Sequence, residues 1–154
     1  MHLSVLVFGS GATWTPCAAL ARMPATPMRI EVQRMIKQAE RDLVNARKNI
    51  GIEAYEVAAF LSEQGVEKLL KAYWMLVKSD AAPFTYSLTE LGDALGVPKA
   101  LRKHLVSLTG DYTMARYPDA ANGVPYEVYD RETAETKVAS AEAIVTWLRQ
   151  QIRG

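Results

Sequence analysis

One stretch, from Tyr55 to Lys78, constrains the fold more than any other part of the chain. It carries two apolar stripes spaced by three and four residues, a spacing that places side chains along one side of a helix. The first stripe is Ala58, Leu61, Gly65, Leu69, Ala72 and Leu76, and the second is Val66, Leu70, Tyr73 and Val77. Two adjacent stripes give a wider buried arc than a surface helix has. The pattern therefore predicts a helix in the middle of a bundle.

The remaining face of this helix is polar and consists of Gln64, Glu67, Lys68 and Lys71. Glu67 and Lys71 are four residues apart, an arrangement that contributes only about 0.2–0.5 kcal/mol. Spacing alone predicts a solvated face on a core helix.

Helical periodicity also marks the flanking segments. The stripe before the central helix is Val32, Ile36, Ala39, Leu43, Ala46 and Ile50, and Gly51 is expected to end that helix. Ser87 and Glu90 have the spacing of a capping box, which predicts a short helix stopped by Gly96-Val97-Pro98. The next stripe is Leu101, Leu105, Leu108, Tyr112 and Ala115.

The segment from Arg116 to Tyr129 breaks this period, because its prolines and glycine forbid a continuous helix. Asp130 is the expected N-cap of the last helix, whose stripe is Ala134, Val138, Ala141, Val145, Leu148 and Ile152. No stretch after residue 28 alternates like a strand. The sequence predicts an all-α domain over residues 28–154, an antiparallel up-down bundle of four long helices with one extra short helix.

Residues 1–27 differ in composition from the rest of the chain, because they contain no acidic residue and one arginine. A signal peptide is disfavoured, because a positive n-region is missing and the apolar run from Leu3 to Phe8 is short. The run from Val5 to Ala12 resembles the strand and Gly-Ser element of small nucleotidyltransferases, but the paired carboxylates that such enzymes need do not follow. We expect residues 1–27 to be a disordered or non-native extension.

The amino-acid composition argues against several classes of function. A net charge of +1 over 154 residues gives no field that would attract nucleic acid to the whole molecule. The single Cys17 excludes an internal disulfide, and with only two histidines a Cys/His zinc site is implausible. No apolar run reaches the ~20 residues of a membrane-spanning helix. We expect a soluble, cytoplasmic protein without a metal or other cofactor.

Four stretches in order carry a resemblance to a known family. They are Gln38–Leu43 with Ala46; Phe60 with Gln64, Glu67, Lys68, Leu70, Lys71 and Ala72; Tyr86-Ser87-Leu88 with Leu91; and Tyr112 followed by Arg116–Asp119. Together they resemble the HEPN family (higher eukaryotes and prokaryotes nucleotide-binding domain) over about residues 29–152. The resemblance implies a helical bundle that pairs through its helices.

The resemblance implies two kinds of function. Some members are metal-independent ribonucleases, often toxins, with an arginine followed after four to six residues by a histidine. Arginine can hold a phosphate and histidine can move protons near neutral pH. Other members lack this histidine and bind partners, frequently a minimal nucleotidyltransferase encoded beside them in a toxin–antitoxin pair.

This chain departs from the ribonuclease pattern after Arg116. The positions that would hold the histidine are Ala121, Asn122 and Gly123, and an asparagine amide cannot act as a general base. His104 precedes Arg116 by three helical turns and is expected to be an ordinary exposed or cap-side residue. The departure favours a non-catalytic module that binds a nucleotide or a nucleotidyltransferase. The alternative is a ribonuclease toxin that uses Arg116 and Asn122.

The loop after Arg116 has two interpretations. In one, Arg116 pairs with Asp119 and the prolines only stiffen the loop. In the other, Arg116 joins Lys68 and Lys71 in a phosphate-binding cleft. The family's pairing with transferases further implies that Tyr126 or Tyr129 could be a modification acceptor.

The last expectation concerns association. Tyr73, Trp74, Val77 and Trp147 cannot all face one bundle interior, so some of them are expected to form an outer patch. Together with the family's habit of pairing, this predicts a symmetric homodimer.

Overall fold

The computed structural model describes residues 27–153, and within this range the chain forms helices and no strand, which confirms the predicted all-α class. The long helices are α1 (Ile30–Gly51), α2 (Tyr55–Lys78) and α8 (Arg131–Arg153). The shorter ones are α3 (Leu88–Ala94), a 3-10 turn (Lys99–Leu101), α4 (Arg102–Thr109), α5 (Asp111–Met114), α6 (Pro118–Ala121) and α7 (Pro125–Val128). The predictions for residues 1–26 lie outside the described residues.

Pairs of side chains show how the helices run. Arg149 of α8 binds Glu40, and Arg47 of α1 lies 2.5 Å from Glu142, so residue numbers rise on one helix as they fall on the other. The pairs His104–Ser140 and Ser107–Lys137 show the same antiparallel relation between α4 and α8. The chain therefore runs up and down as predicted.

The central position of α2 is also confirmed, because this helix contacts α1, α8, α3, α4, α5 and α7. Its bounds agree with the predicted ones. The buried hydrophobic core around it consists of Ala39, Leu43, Val66, Leu69, Leu70, Leu88, Leu91, Leu105, Leu108, Ala141, Ile144, Val145 and Leu148.

A glycine allows α1 and α2 to approach closely. A Cβ atom placed on Gly65 would lie 2.8 Å from Cγ of Leu43 and 3.3 Å from the carbonyl oxygen of Ala39. Because these atoms belong to a neighbouring helix, any larger residue at position 65 would push the two helices apart.

The predicted helix starts are confirmed at two caps. The Ser87 hydroxyl accepts a hydrogen bond from the Glu90 N–H at 3.2 Å, and the Asp130 carboxylate accepts one from the Thr133 N–H at 2.8 Å. In the first cap, however, the Glu90 carboxylate accepts from the Thr85 hydroxyl rather than returning to the Ser87 N–H.

Gly51 is the last residue of α1, as predicted, and the left-handed residue that then turns the chain is Glu53 (φ 62°). The structure corrects two local predictions. The predicted fourth long helix is divided into the 3-10 turn, α4 and α5, with Gly110 between the last two. The segment from Arg116 to Tyr129 is not a plain loop, because Pro118 and Pro125 each begin a helical turn.

The predicted outer patch is smaller than expected. The rings of Tyr73 and Trp147 pack edge to face at 5.9 Å, and both of them, like Trp74, are partly buried against the core. Only Val77 of the four is mainly exposed. None of the helices formed by residues 27–153 is long and apolar enough to cross a membrane.

Candidate functional site

Arg116 follows α5 and lies on a bed of aromatic rings. Its guanidinium carbon is 4.1 Å from the centre of the Tyr112 ring, 4.9 Å from that of Phe60 and 5.2 Å from that of Tyr117. Its Nε atom donates a hydrogen bond to the carbonyl oxygen of Tyr112 at 2.8 Å. The ring contacts and this bond fix the guanidinium plane and leave its two terminal nitrogens available.

The predicted pairing of Arg116 with Asp119 is absent. Within residues 27–153 no carboxylate forms an ion pair with Arg116, although seven other ion pairs are present there. The Arg116 charge is exposed, and among residues 27–153 it meets ring faces and one backbone oxygen rather than a carboxylate. Such an arginine is suited to bind a phosphate or carboxylate from outside the chain.

The aromatic bed continues away from Arg116. The ring of Tyr86 stacks on that of Tyr112 with centres 4.5 Å apart and planes 17° apart, and Phe84 meets Tyr86 edge on at 6.0 Å. The neighbouring Tyr112 phenol raises the pKa of Tyr86. Beside the stacked pair lies an open groove of about 410 Å³, lined by Tyr86, Ser87, Thr109, Tyr112 and Thr113.

The polar face of α2 is not the solvated face that its spacing predicts. Lys68 lies 2.9 Å from the Asp42 carboxylate of α1, and Lys71 lies 2.5 Å from the Glu67 carboxylate. Both carboxylates are buried, and the Lys68–Asp42 pair joins α2 to α1. The two lysines that were expected to bind phosphate are therefore already paired with carboxylates.

Lys71 remains close to the aromatic bed, since its ammonium nitrogen is 5.8 Å from the centre of the Tyr86 ring. The structure thus brings Arg116 and Lys71 to the same two stacked tyrosines. Lys68 lies one helical turn before Lys71, against α1, and donates to the side-chain oxygen of Gln64 at 3.1 Å.

A buried acid, Glu63, lies beneath this surface and is absent from the residues predicted from the sequence. Its side chain is fully buried, one oxygen accepts from the Gln64 amide at 2.9 Å, and the other has no hydrogen-bond partner among the described residues. Burial raises the pKa of Glu63 to about 8, with the nearby charges of Glu67 and Asp111 acting in the same direction. Glu63 is therefore protonated near neutral pH.

Asp111 forms a second buried polar group on α5. It accepts a hydrogen bond from the Tyr129 hydroxyl at 2.7 Å and lies 2.9 Å from the Lys137 ammonium of α8. Burial raises the pKa of Asp111, and burial with the Asp111 contact raises that of Tyr129. These bonds attach the segment after Arg116 to the bundle.

The two candidate modification acceptors have different surroundings. Tyr129 is 5% exposed and its hydroxyl is held by Asp111, so a transferase could not reach it in the folded chain. Tyr126 is 65% exposed, and its hydroxyl donates to the Glu127 carboxylate at 2.9 Å. Of the two, only Tyr126 presents an accessible oxygen.

Asn122 and His104 are the remaining candidates. Asn122 ends α6 in a left-handed conformation (φ 51°) on the surface. His104 is half-buried rather than exposed, and its Nδ1 atom shares a hydrogen bond with the Ser140 hydroxyl at 3.0 Å. Among residues 27–153 no group of three or more His, Cys, Asp or Glu side chains is arranged to hold a metal ion.

Comparisons with known proteins identify the family. The family model of the HEPN domain matches residues 32–151, and a search of curated proteins found no match. Solved structures of other proteins share the fold, including the following two. One, described as ST0689, an archaeal HEPN homologue, is 36% identical with a TM-score of 0.67 over 79% of this chain and 97% of that one. The other, TT1696 from Thermus thermophilus, is 25% identical with a TM-score of 0.72 over 79% and 98%. The chain belongs to the HEPN domain family.

Proposed function

We propose that the chain is a cytoplasmic binding module that holds a nucleotide by its phosphate at Arg116, without catalysis of its own. The observation that carries the proposal is an exposed guanidinium whose orientation is fixed by three rings and a backbone oxygen, with no carboxylate of the described residues paired to it. Two terminal nitrogens of a fixed guanidinium match two oxygens of a phosphate.

Lys71 supports the same role from the other side of the stacked tyrosines. Its charge is offset by Glu67, so it acts as a second and weaker cation rather than as a direct ligand. Lys68 is offset by Asp42 and is the more distant of the two lysines, so we expect its contribution to be the smallest.

Binding of ribose 5-phosphate tests the proposal by isothermal titration at low salt. We expect Arg116→Ala to weaken binding at least tenfold, because hydrogen bonds to charged groups contribute about 1.5–3 kcal/mol. Arg131→Ala is a matched control, because Arg131 also lies over a ring, that of Tyr55 at 5.6 Å, but is paired with Glu135. Equal affinities for the wild type and Arg116→Ala would contradict the proposal.

The exposed Tyr126 favours a second candidate function, in which a partner nucleotidyltransferase modifies the chain. The phenol oxygen would attack the α-phosphorus of a nucleoside triphosphate, pyrophosphate would leave, and the proton would pass to the bonded Glu127. The chain should then gain one nucleoside monophosphate when it is co-expressed with such an enzyme encoded beside it. Mass spectrometry should find the adduct on Tyr126 and none in Tyr126→Phe; an unmodified wild-type chain would refute this role.

We further propose that the chain forms a symmetric homodimer. Support comes from exposed apolar side chains between residues 114 and 128, the segment that contains Arg116, namely Met114, Tyr117, Val124 and Val128. Exposed apolar groups in one region commonly mark interfaces. Light scattering at micromolar concentration should give a dimer mass at low and at high salt, because apolar contacts are insensitive to ionic screening. A monomer mass in both conditions would contradict the dimer.

A further inference from the structure

The aromatic surface beside Arg116 extends well beyond what a phosphate alone would need. Moving away from the guanidinium, the chain places Tyr112, then Tyr86 stacked on it, then Phe84 edge on to Tyr86. We call these three residues with Arg116 the aromatic row. Its outer end is strongly exposed, since Phe84 is 95% and Tyr86 46% accessible.

Phe84 has no packing role that would explain its ring. It lies in the connection between α2 and α3, and apart from Tyr86 no ring of the described residues lies against it. An aromatic side chain held almost fully in water is costly unless another planar or apolar group covers it.

The groove beside the row suits a planar polar ligand. It is lined by the two stacked tyrosines together with Ser87, Thr109 and Thr113. The Thr109 hydroxyl donates to the carbonyl oxygen of Leu105 at 2.8 Å, and that of Thr113 to the carbonyl oxygen of Gly110 at 3.3 Å. Because their protons are used, these two hydroxyls can only accept further hydrogen bonds, which suits the exocyclic amino groups of nucleobases.

We propose that the aromatic row binds a short single-stranded nucleic acid, with a phosphate at Arg116 and successive bases along Tyr86 and Phe84. This rests on the proposed function, because Arg116 supplies the phosphate contact. The combination of exposed rings with a cation at one end is the arrangement by which proteins hold single strands, where stacking needs no particular base. The positive charge that attracts the phosphate is local to Arg116, because the net charge of the chain is only +1.

The test compares three ligands by isothermal titration: ribose 5-phosphate, adenosine 5′-monophosphate and a 5′-phosphorylated adenosine dinucleotide. Each added base should tighten binding by roughly five-fold to 150-fold, the range measured for base stacking on aromatic side chains. Phe84→Ala should remove the gain from the second base only, and Tyr86→Ala the gain from both. Ile52→Ala is the control, because Ile52 is also a strongly exposed apolar residue, at 74%, but belongs to a different connection, that between α1 and α2.

The outcomes separate the two proposals. Arg116-dependent binding of ribose 5-phosphate with no gain from bases would overturn the single-strand inference and leave the phosphate site standing. Absence of all binding would overturn both. Because Phe84 is almost fully exposed, its substitution cannot act through the fold. If Phe84→Ala instead converts a dimer to a monomer in sedimentation velocity while the ligand affinities stay unchanged, the row is a self-association surface and the inference is wrong.

Discussion

The buried Glu63 gives the chain a pH dependence of stability with an unusual sign. Its pKa is about 8 in the folded chain and 4.5 in the absence of burial. Between these two values the folded state holds a proton that the unfolded state has released, so the unfolded state binds fewer protons. Stability therefore falls as the pH rises through this window, and Glu63 contributes no pH dependence below or above it.

The size of the effect follows from the shift. One pKa unit corresponds to about 1.36 kcal/mol, so the full window is worth about 5 kcal/mol, and the interval from pH 5 to pH 7 about 2–3 kcal/mol. Glutamine has nearly the shape of the protonated acid and does not titrate. We expect Glu63→Gln to gain stability relative to the wild type by about 2–3 kcal/mol between pH 5 and pH 7.

Urea unfolding followed by circular dichroism at pH 5, 6, 7 and 8 measures this difference. Comparing the change with pH, rather than stability at one pH, removes any fixed cost of the substitution. Some slope should remain in Glu63→Gln, because burial also raises the pKa of Asp111. Glu135→Gln, at a carboxylate that is 57% exposed, should keep the wild-type slope. Equal slopes for Glu63→Gln and the wild type would refute the reasoning.

Three further predictions concern the hydrophobic core, the contact between α1 and α2, and the cleavage of RNA. Leu69→Ala should cost about 2–5 kcal/mol in urea unfolding, because Leu69 is 1% exposed in the core; a cost below about 0.5 kcal/mol would contradict its assignment. Gly65→Ala should destabilise by about 1–3 kcal/mol through its contact with Leu43, whereas Gly51→Ala, with open space around it, should stabilise by up to about 1 kcal/mol. Mixed RNA incubated with the chain in EDTA should stay intact; cleavage that Arg116→Ala abolishes would overturn the binding role.

The sequence predicted the bundle well because its information lies in periodicity. The stripes of α2 identified its bounds and its central position, and Ser87 and Asp130 identified two helix starts. The stripe from Leu101 to Ala115 predicted one helix, but the helix is interrupted at Gly110 although the apolar period continues. A period records which side of a chain is buried and does not record whether the helix axis continues unbroken.

Glu63 could have been found from the same pattern. It stands in a third stripe, Ala59, Glu63, Val66, Leu70 and Tyr73, whose spacing is four, three, four and three. An acid in line with apolar residues indicates a buried carboxyl. The aromatic row could not be found this way, because Tyr86 and Tyr112 come from separate segments and only the fold stacks them.

The positions of the titrating groups bear on whether the site binds or cleaves. Cleavage of RNA without a metal needs one group that holds the phosphate and a second, at the same surface, that moves a proton near neutral pH. Arg116 meets the first need. Glu63 has a pKa of about 8, but its side chain on α2 is fully buried, so it is not at the surface that a ligand of Arg116 would contact. Asn122 reaches the surface and cannot take a proton. Among residues 27–153, Arg116, Glu63 and Asn122 thus do not place a phosphate-holding and a proton-moving group at one surface, and this supports the proposal that the site binds rather than cleaves.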